Sequence, residues 1–427
     1  MKLTRYKLGE ILNVTRGASL SGEFYATEGE YIRLTCGNFD YQNNCFKENK
    51  SKDNLYYVGD FRSEFLMEEG DIITPLTEQA IGLLGSTAII PESGKYIQSQ
   101  DVAKIVCKED LLDKNFAFYL ISSALVKQQL SAAAQQTKIR HTSPDKIKDC
   151  TVWIPELSEQ KRIGKLLRSI DSKIELNRQI NQNLEAMAKQ LYDYWFVQFD
   201  FPNEEGKPYK SSGGKMVWNE KLKREIPEGW NISLIKDIAT TYSGGTPKST
   251  NIEYYDNGEI AWINSGELNS PIITKTTNYI TKCGLENSSA KLYPSNSILV
   301  AMYGATAGKV SLLTFEACSN QAVCGVIPTI ENMLYYVYFH ISSLYSHFIT
   351  LSTGSARDNI SQDTIKNILL PIPTRNILKL FDEKIGSIYQ TIVNNYQQID
   401  SLTKQRDELL PLLMNGQVSV NSDLSDD

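Results

Sequence analysis

Ile163-Gly-Lys-Leu-Leu-Arg-Ser-Ile-Asp-Ser-Lys-Ile-Glu-Leu-Asn-Arg-Gln-Ile-Asn-Gln-Asn-Leu-Glu-Ala-Met-Ala-Lys-Gln-Leu191 places Ile163, Leu167, Ile170, Ile174, Asn177, Asn181, Leu184, Ala188 and Leu191 at steps that alternate four and three. That spacing is the a/d seam of a coiled coil. The intervening positions are mostly charged or amide side chains, so one narrow stripe is apolar. The same steps return at Phe381, Ile385, Ile388, Ile392, Asn395, Ile399, Leu402, Arg406, Leu409 and Leu413. Two matching seams predict an antiparallel pair of long coiled-coil helices, one over 156–198 and one over 374–415. A helix of about 36 residues is roughly 54 Å long. Asn177 and Asn395 hold equivalent seam positions, and Asn177 is midway along its stripe. In a twofold antiparallel pair a central residue meets its own equivalent, so these two asparagines are expected to face each other and fix the register. Ser158 and Asn376 are expected to be the N-caps. The second helix is expected to bend or fray at Pro411 and stop near Gly416, before an acidic, disordered tail over 416–427.

The sequence around each seam repeats as well. Tyr6-Lys-Leu-Gly-Glu-Ile11 aligns with Leu234-Ile-Lys-Asp-Ile238, each followed by a glycine, Gly17 or Gly244. Gly29–Leu34 parallels Gly258–Ile263, Gly70–Thr74 parallels Asn296–Val300, and Ser99-Gln-Asp-Val102 parallels Asn320-Gln-Ala-Val323. Ser143-Pro-Asp-Lys-Ile-Lys148 matches Ser361-Gln-Asp-Thr-Ile-Lys366, and both run through a short apolar stretch into a long helix. The chain therefore reads as two copies of one α/β (α+β) plan in pseudo-twofold repeat, domains over 1–155 and 228–373. Residues 199–227, rich in Pro, Gly, Ser and charge, read as the linker. With antiparallel helices, such domains are expected at opposite ends of a rod, able to contact two places on one ligand.

A chain of 427 residues with net charge −6 is too long for one core and is not a generic, charge-driven nucleic-acid binder. A local basic face remains compatible with that balance. The seven cysteines are scattered without a CxxC pair, which points away from a zinc site or a disulfide framework. No apolar run reaches membrane-spanning length, and the opening Met-Lys-Leu-Thr-Arg lacks a signal-peptide core. Reduced cytoplasm is the expected compartment.

With these features the chain resembles the specificity (S) subunit of a type I restriction-modification enzyme. The resemblance spans nearly the whole length. It is carried by the two-half plan, by Phe201-Pro-Asn … Gly-Lys-Pro-Tyr-Lys-Ser-Ser-Gly-Gly214 followed by Leu222–Trp230, by Ser243-Gly-Gly-Thr-Pro247, and by Pro155-Glu-Leu-Ser-Glu-Gln-Lys-Arg-Ile163. It implies a non-catalytic, sequence-specific DNA reader whose two target-recognition domains each read half of a bipartite, asymmetric site. The helices would measure the spacer and dock two adenine-N6 methyltransferase (M) subunits, with two motor-nuclease (R) subunits joining that core. No cofactor would be bound by this chain: SAM would belong to the M subunits, ATP and Mg to the R subunits. The first half departs from the pattern, with Arg16-Gly-Ala-Ser19 in place of the Gly-Gly-Thr-Pro loop, and Asn376-Ile-Leu-Lys379 replaces the Glu-Gln opener of helix two.

Catalytic motifs are wanting. Tyr303-Gly-Ala-Thr-Ala-Gly-Lys-Val310 departs from a P-loop at its first glycine and at the Mg-binding hydroxyl. There is no methyltransferase Asn-Pro-Pro-Tyr motif, and no metal site is expected. His340 and His347 share a helix face without a third ligand. Candidate DNA contacts follow from groove chemistry: Arg and Lys for guanine or phosphate, Asn and Gln for adenine, Thr and Ser for positioning. The polar loops supply Lys138, Arg140 and His141 in half one, and Arg357 and Asn359 in half two. Arg33 and Trp262 lie in paired strands, where they either reach the groove or serve as ordinary strand residues, and Thr246 and Lys248 in the glycine loop suit phosphate. The competing reading is a coiled-coil scaffold whose terminal domains bind proteins; a single-chain restriction enzyme is disfavoured by the missing motifs.

Overall fold

The computed structural model describes residues 1–50, 53–78, 82–133, 140–346, 348 and 360–420. The chain forms two compact units, Met1–Glu175 with Asp400–Asp427, and Leu176–Ile399. Both cuts fall inside the long helices, Leu157–Tyr192 and Arg375–Met414. Each unit therefore holds one mixed domain and a stretch of both helices.

In the first unit, Thr4–Lys7 pairs antiparallel with Thr151–Ile154 and closes the domain. The main sheet runs Leu12–Arg16, Val102–Cys107, Ile72–Pro75, Ala88–Ile89, all antiparallel. Ile72–Pro75 is buried throughout, as suits an inner strand with apolar groups on both faces. A smaller sheet pairs Tyr31–Arg33 in parallel with Tyr96–Ile97. Helices Lys114–Ile121 and Ala124–Ala133 cover the main sheet, the former capped by Asp113, whose Oδ1 accepts from Phe116 N at 2.9 Å. Ile163 and Leu167 of the first long helix share the core with Leu413 and Met414 of the second.

The second unit repeats the plan. Asn231–Leu234 pairs antiparallel with Leu369–Ile372. Its main sheet runs Ala239–Ser243, Val323–Pro328, Ser297–Ala301, Val310–Leu313, with Ile272–Ile273 added in parallel at the edge. Ile260–Ile263 pairs in parallel with Cys318–Ser319. The matched turns have matched physics. Gly70 and Asn296 both take positive φ, at 81° and 65°, the left-handed geometry that Gly and Asn tolerate best. Ser143 and Ser361 both cap a five-residue helix, accepting from Lys146 N and Thr364 N.

Ile163, Leu167 and Ala188 of the first seam, and Phe381, Ile385 and Ile392 of the second, are at 0 % exposure, while Leu184, Leu191, Ile388, Leu402 and Leu409 are half-buried. Within the second unit the pairing is antiparallel: Asn177 Nδ2 donates to Gln398 Oε1 at 3.2 Å, and Asn395 Nδ2 to Asn181 Oδ1 at 2.8 Å. The expected Asn177–Asn395 pair is thus corrected. The helices cross between seam layers 177 and 181, so each asparagine meets the layer next to its equivalent. Ser158 and Asn376 lie inside the first turns, since the helices already begin at Leu157 and Arg375. The second helix continues through Pro411 and ends at Met414, two residues before Gly416, whose φ is 68°.

The segment expected as a linker is packed. Phe199 and Phe201 are buried, Phe201 stacks between Tyr209 and Trp230, and Met216–Asn219 forms a hairpin with Arg224–Pro227. The aromatic side chains between its polar residues draw it onto the second core.

Candidate nucleic-acid interface

In each unit the loop leaving the first sheet strand meets the turn that enters the inner strand beside it. The approach is too close for any side chain. A Cβ on Gly17 would stand 2.2 Å from the Gln98 carbonyl oxygen, and one on Gly244 2.1 Å from that of Asn320. The turns match: Val102 N donates to Ser99 O at 3.0 Å, and Val323 N to Asn320 O at 3.2 Å. At each turn a glutamine, Gln100 or Gln321, is exposed.

In the first unit, exposed Arg16 donates Nε to the Gln100 carbonyl at 2.8 Å. Strand Arg140–His141 pairs with Thr77–Glu78, bringing exposed His141 beside the same turn. Its Nδ1 lies 3.3 Å from Thr77 Oγ1, which donates to Asp101 Oδ1 at 3.4 Å. Arg16, Gln100 and His141 thereby gather on one polar surface. Arg33 is placed elsewhere. It is only 7 % exposed, its guanidinium lies 3.9 Å over the Tyr25 ring, and Nη2 donates to Asn54 O at 3.2 Å. The expected groove contact is corrected, because strand alternation turns this side chain inward. Lys138 lies outside the described residues.

In the second unit the Ser243–Pro247 loop is held from below. Trp262 Nε1 donates to Gly245 O at 3.0 Å, and Tyr255 Oη to Pro247 O at 2.5 Å. Trp262 is half-buried and packs edge-on to Tyr255 at 6.0 Å. Its indole N–H is committed to the loop backbone, the role of an ordinary strand residue that braces the loop. Thr246 and Lys248 are exposed, and the Thr246 hydroxyl donates to Gln321 Oε1. Gln362 extends the strip, donating Nε2 to Thr241 O at 2.9 Å and accepting from Ser243 Oγ at 3.1 Å. Arg357 and Asn359 lie outside the described residues. Sequence reasoning had matched Gln100 with Gln321 as architecture only; their exposure beside the glycine loops is what adds them to the site.

The chemistry of reactive groups here is structural. His340 is half-buried, accepting at Nδ1 from Tyr192 Oη at 3.2 Å and donating from Nε2 to Leu369 O at 3.0 Å. Burial pulls its ionisation down to about 4, so it stays neutral. His347 lies outside the described residues. Burial pushes the Cys318 and Cys324 thiols up to about 12, far from a reactive thiolate. Lys309, in the P-loop-like stretch, donates Nζ to Asn269 Oδ1 at 2.5 Å. Among the described residues no helix is long and apolar enough to cross a membrane, and no group of three or more His, Cys, Asp or Glu could hold a metal ion.

Comparison with known proteins accords with this duplicated plan. The chain is 25% identical over 326 residues to the MjaIX type I restriction enzyme specificity subunit of Methanocaldococcus jannaschii, covering 75% of this chain and 73% of that protein. It is 26% identical over 379 residues to the HindI specificity subunit of Haemophilus influenzae, covering 76% and 81%. The crystal structure of a type I restriction-modification S subunit from M. genitalium superposes with a TM-score of 0.61 at 14% identity, covering 97% of this chain and 96% of that one, a likeness of fold. The family model described as the type I restriction modification DNA specificity domain matches residues 2–186 and again 227–409. Matched once along each half, the chain belongs to the type I restriction modification DNA specificity family.

Proposed function

We propose that this chain is the non-catalytic reader of a type I restriction-modification complex, in which each unit reads one half of a bipartite, asymmetric DNA site. The observation that carries this reading is the duplicated polar surface. Two units of one plan expose Arg16 and Gln100 in one case, and Thr246, Lys248 and Gln321 in the other, on the equivalent loop and turn, with His141 of a neighbouring strand beside the first turn. Arginine and lysine suit phosphate and guanine, while glutamine suits adenine. The two surfaces differ in side chains, which suits two different half-sites. The long helices, with polar outer faces, suit a dock for two adenine-N6 methyltransferase subunits and, through them, two motor-nuclease subunits. SAM, ATP and Mg belong in this reading to those partners, and the cytoplasm is the compartment.

The test is selection by the assembled complex, this chain with its methyltransferase subunits, from random-sequence duplex DNA. The expected result is one split motif carrying an adenine on each side. Enrichment of no motif, with specific protein partners captured by the terminal domains instead, favours the scaffold reading.

A further inference from the structure

Gln100 and Gln321 share more than a place in the repeat. Each stands on a turn whose backbone is fixed twice. The i to i+3 bonds of 3.0 and 3.2 Å close the turns. Ser99 Oγ accepts from Asp101 N at 3.4 Å, and Asn320 Oδ1 from Ala322 N at 3.1 Å, so a side chain braces each turn from within. The glycine loop presses on the same backbone, as the 2.2 and 2.1 Å approaches at Gly17 and Gly244 show. A side chain carried on so rigid a turn loses little backbone freedom on meeting a ligand. In the second unit, the Thr246 hydroxyl also binds Gln321 Oε1. That bond orients the carboxamide and leaves the Nε2 donors and a second Oε1 lone pair for a partner. Each glutamine has a cation on the neighbouring loop: Arg16, bonded to the Gln100 carbonyl, and Lys248, two residues from Thr246. A cation suited to phosphate beside an amide suited to a base edge is the pairing that groove readout requires.

We infer that Gln100 and Gln321 each read one adenine through its major-groove edge, one in each half-site. A glutamine amide matches adenine bidentately, Nε2 donating to N7 and Oε1 accepting from the N6 amine. This assignment rests on the DNA-reading function proposed above.

The experiment is the same random-duplex selection, run with the complete complex carrying Gln321→Ala, Gln100→Ala or Gln321→Glu. Gln321→Ala is expected to relax one A·T position in one half-site by roughly tenfold to a hundredfold. Gln100→Ala is expected to do so in the other half only. The untouched half serves in each case as the internal control for folding and assembly. Gln321→Glu is expected to turn the same position towards cytosine, whose N4 amine donates to a carboxylate. If the wild-type complex yields a split motif and all three variants return that motif unaltered, the assignment is overturned while the reader function stands. If the wild-type complex enriches nothing, the reader function itself fails, and the assignment with it.

Discussion

Asn395 donates its side-chain amide to Asn181 Oδ1 at 2.8 Å, and Asn181 in turn donates Nδ2 to the Ile392 carbonyl at 3.4 Å. Both are buried, at 9 % and 2 % exposure, with apolar seam residues Ile392 and Ile399 beside them along the second helix. Asn395→Leu removes the donor to Asn181 Oδ1 and leaves that buried acceptor unmatched, which costs about 1–3 kcal/mol. The double substitution Asn181→Leu with Asn395→Leu removes both polar groups and is expected to recover that loss, while weakening the choice of register. Urea unfolding of the four proteins closes the cycle. A double variant no more stable than the single one would show that the pair carries no polar lock.

In the first unit the equivalent task falls to charge. Arg406 Nη1 donates to Asp171 Oδ1 at 2.9 Å, and Tyr119 Oη to Asp171 Oδ2 at 2.5 Å, so one carboxylate ties both long helices to helix Lys114–Ile121. The ion pair is largely buried, with side-chain exposures of 11 % and 18 %. Arg406→Ala leaves Asp171 with one neutral donor and is expected to cost about 3 kcal/mol. Tyr119→Phe, which removes a single hydroxyl, is expected to cost about 1 kcal/mol. Thermal or urea unfolding that ranks Tyr119→Phe as the more damaging would reverse this account.

Much of the architecture was legible because burial in a helix pair follows its spacing. The four-three steps located both seams, and the match of Ser143–Lys148 with Ser361–Lys366 located equivalent positions, which in the structure are helix caps. The partner of Asn395 was not legible. A repeat fixes which residues are equivalent, while the layer at which two helices cross depends on how the whole seam packs. For Arg33 and Trp262 the sequence left the choice between groove contact and ordinary strand residue open, because the direction of a strand side chain is set by partners distant in sequence, Tyr25 and Asn54 for the one, Gly245 and Tyr255 for the other. The polar-basic loops were visible as composition, whereas the twin glutamines emerged only when close approach at Gly17 and Gly244 set their turns beside the glycine loops.

His340 gives the second core a pH dependence. Its folded-state ionisation, lowered by burial to about 4, lies below that of an unfolded histidine near 6.5. The unfolded chain therefore binds more protons between those values, and stability falls as pH drops from about 6.5 towards 4. The full difference is on the order of 3 kcal/mol. His340→Gln, which keeps a hydrogen-bonding side chain without the titration, is expected to flatten that window at some loss of stability at neutral pH. Unfolding midpoints from pH 7 to 4.5 check this, and an unaltered slope in the variant would assign the dependence to other groups.

Lys248 separates holding DNA from reading it. It is exposed on a loop whose backbone is fixed by Trp262 and Tyr255, and its position suits a phosphate better than a base edge. Lys248→Ala in the assembled complex is expected to weaken binding to every sequence alike. It is also expected to reduce the slope of log affinity against log salt by about 0.9, the signature of one lost phosphate contact. Titrations of matched and mismatched duplexes at several salt concentrations measure both quantities. A change confined to one sequence, with the salt slope intact, would make Lys248 a base reader and move the phosphate contact to another residue of the same loop.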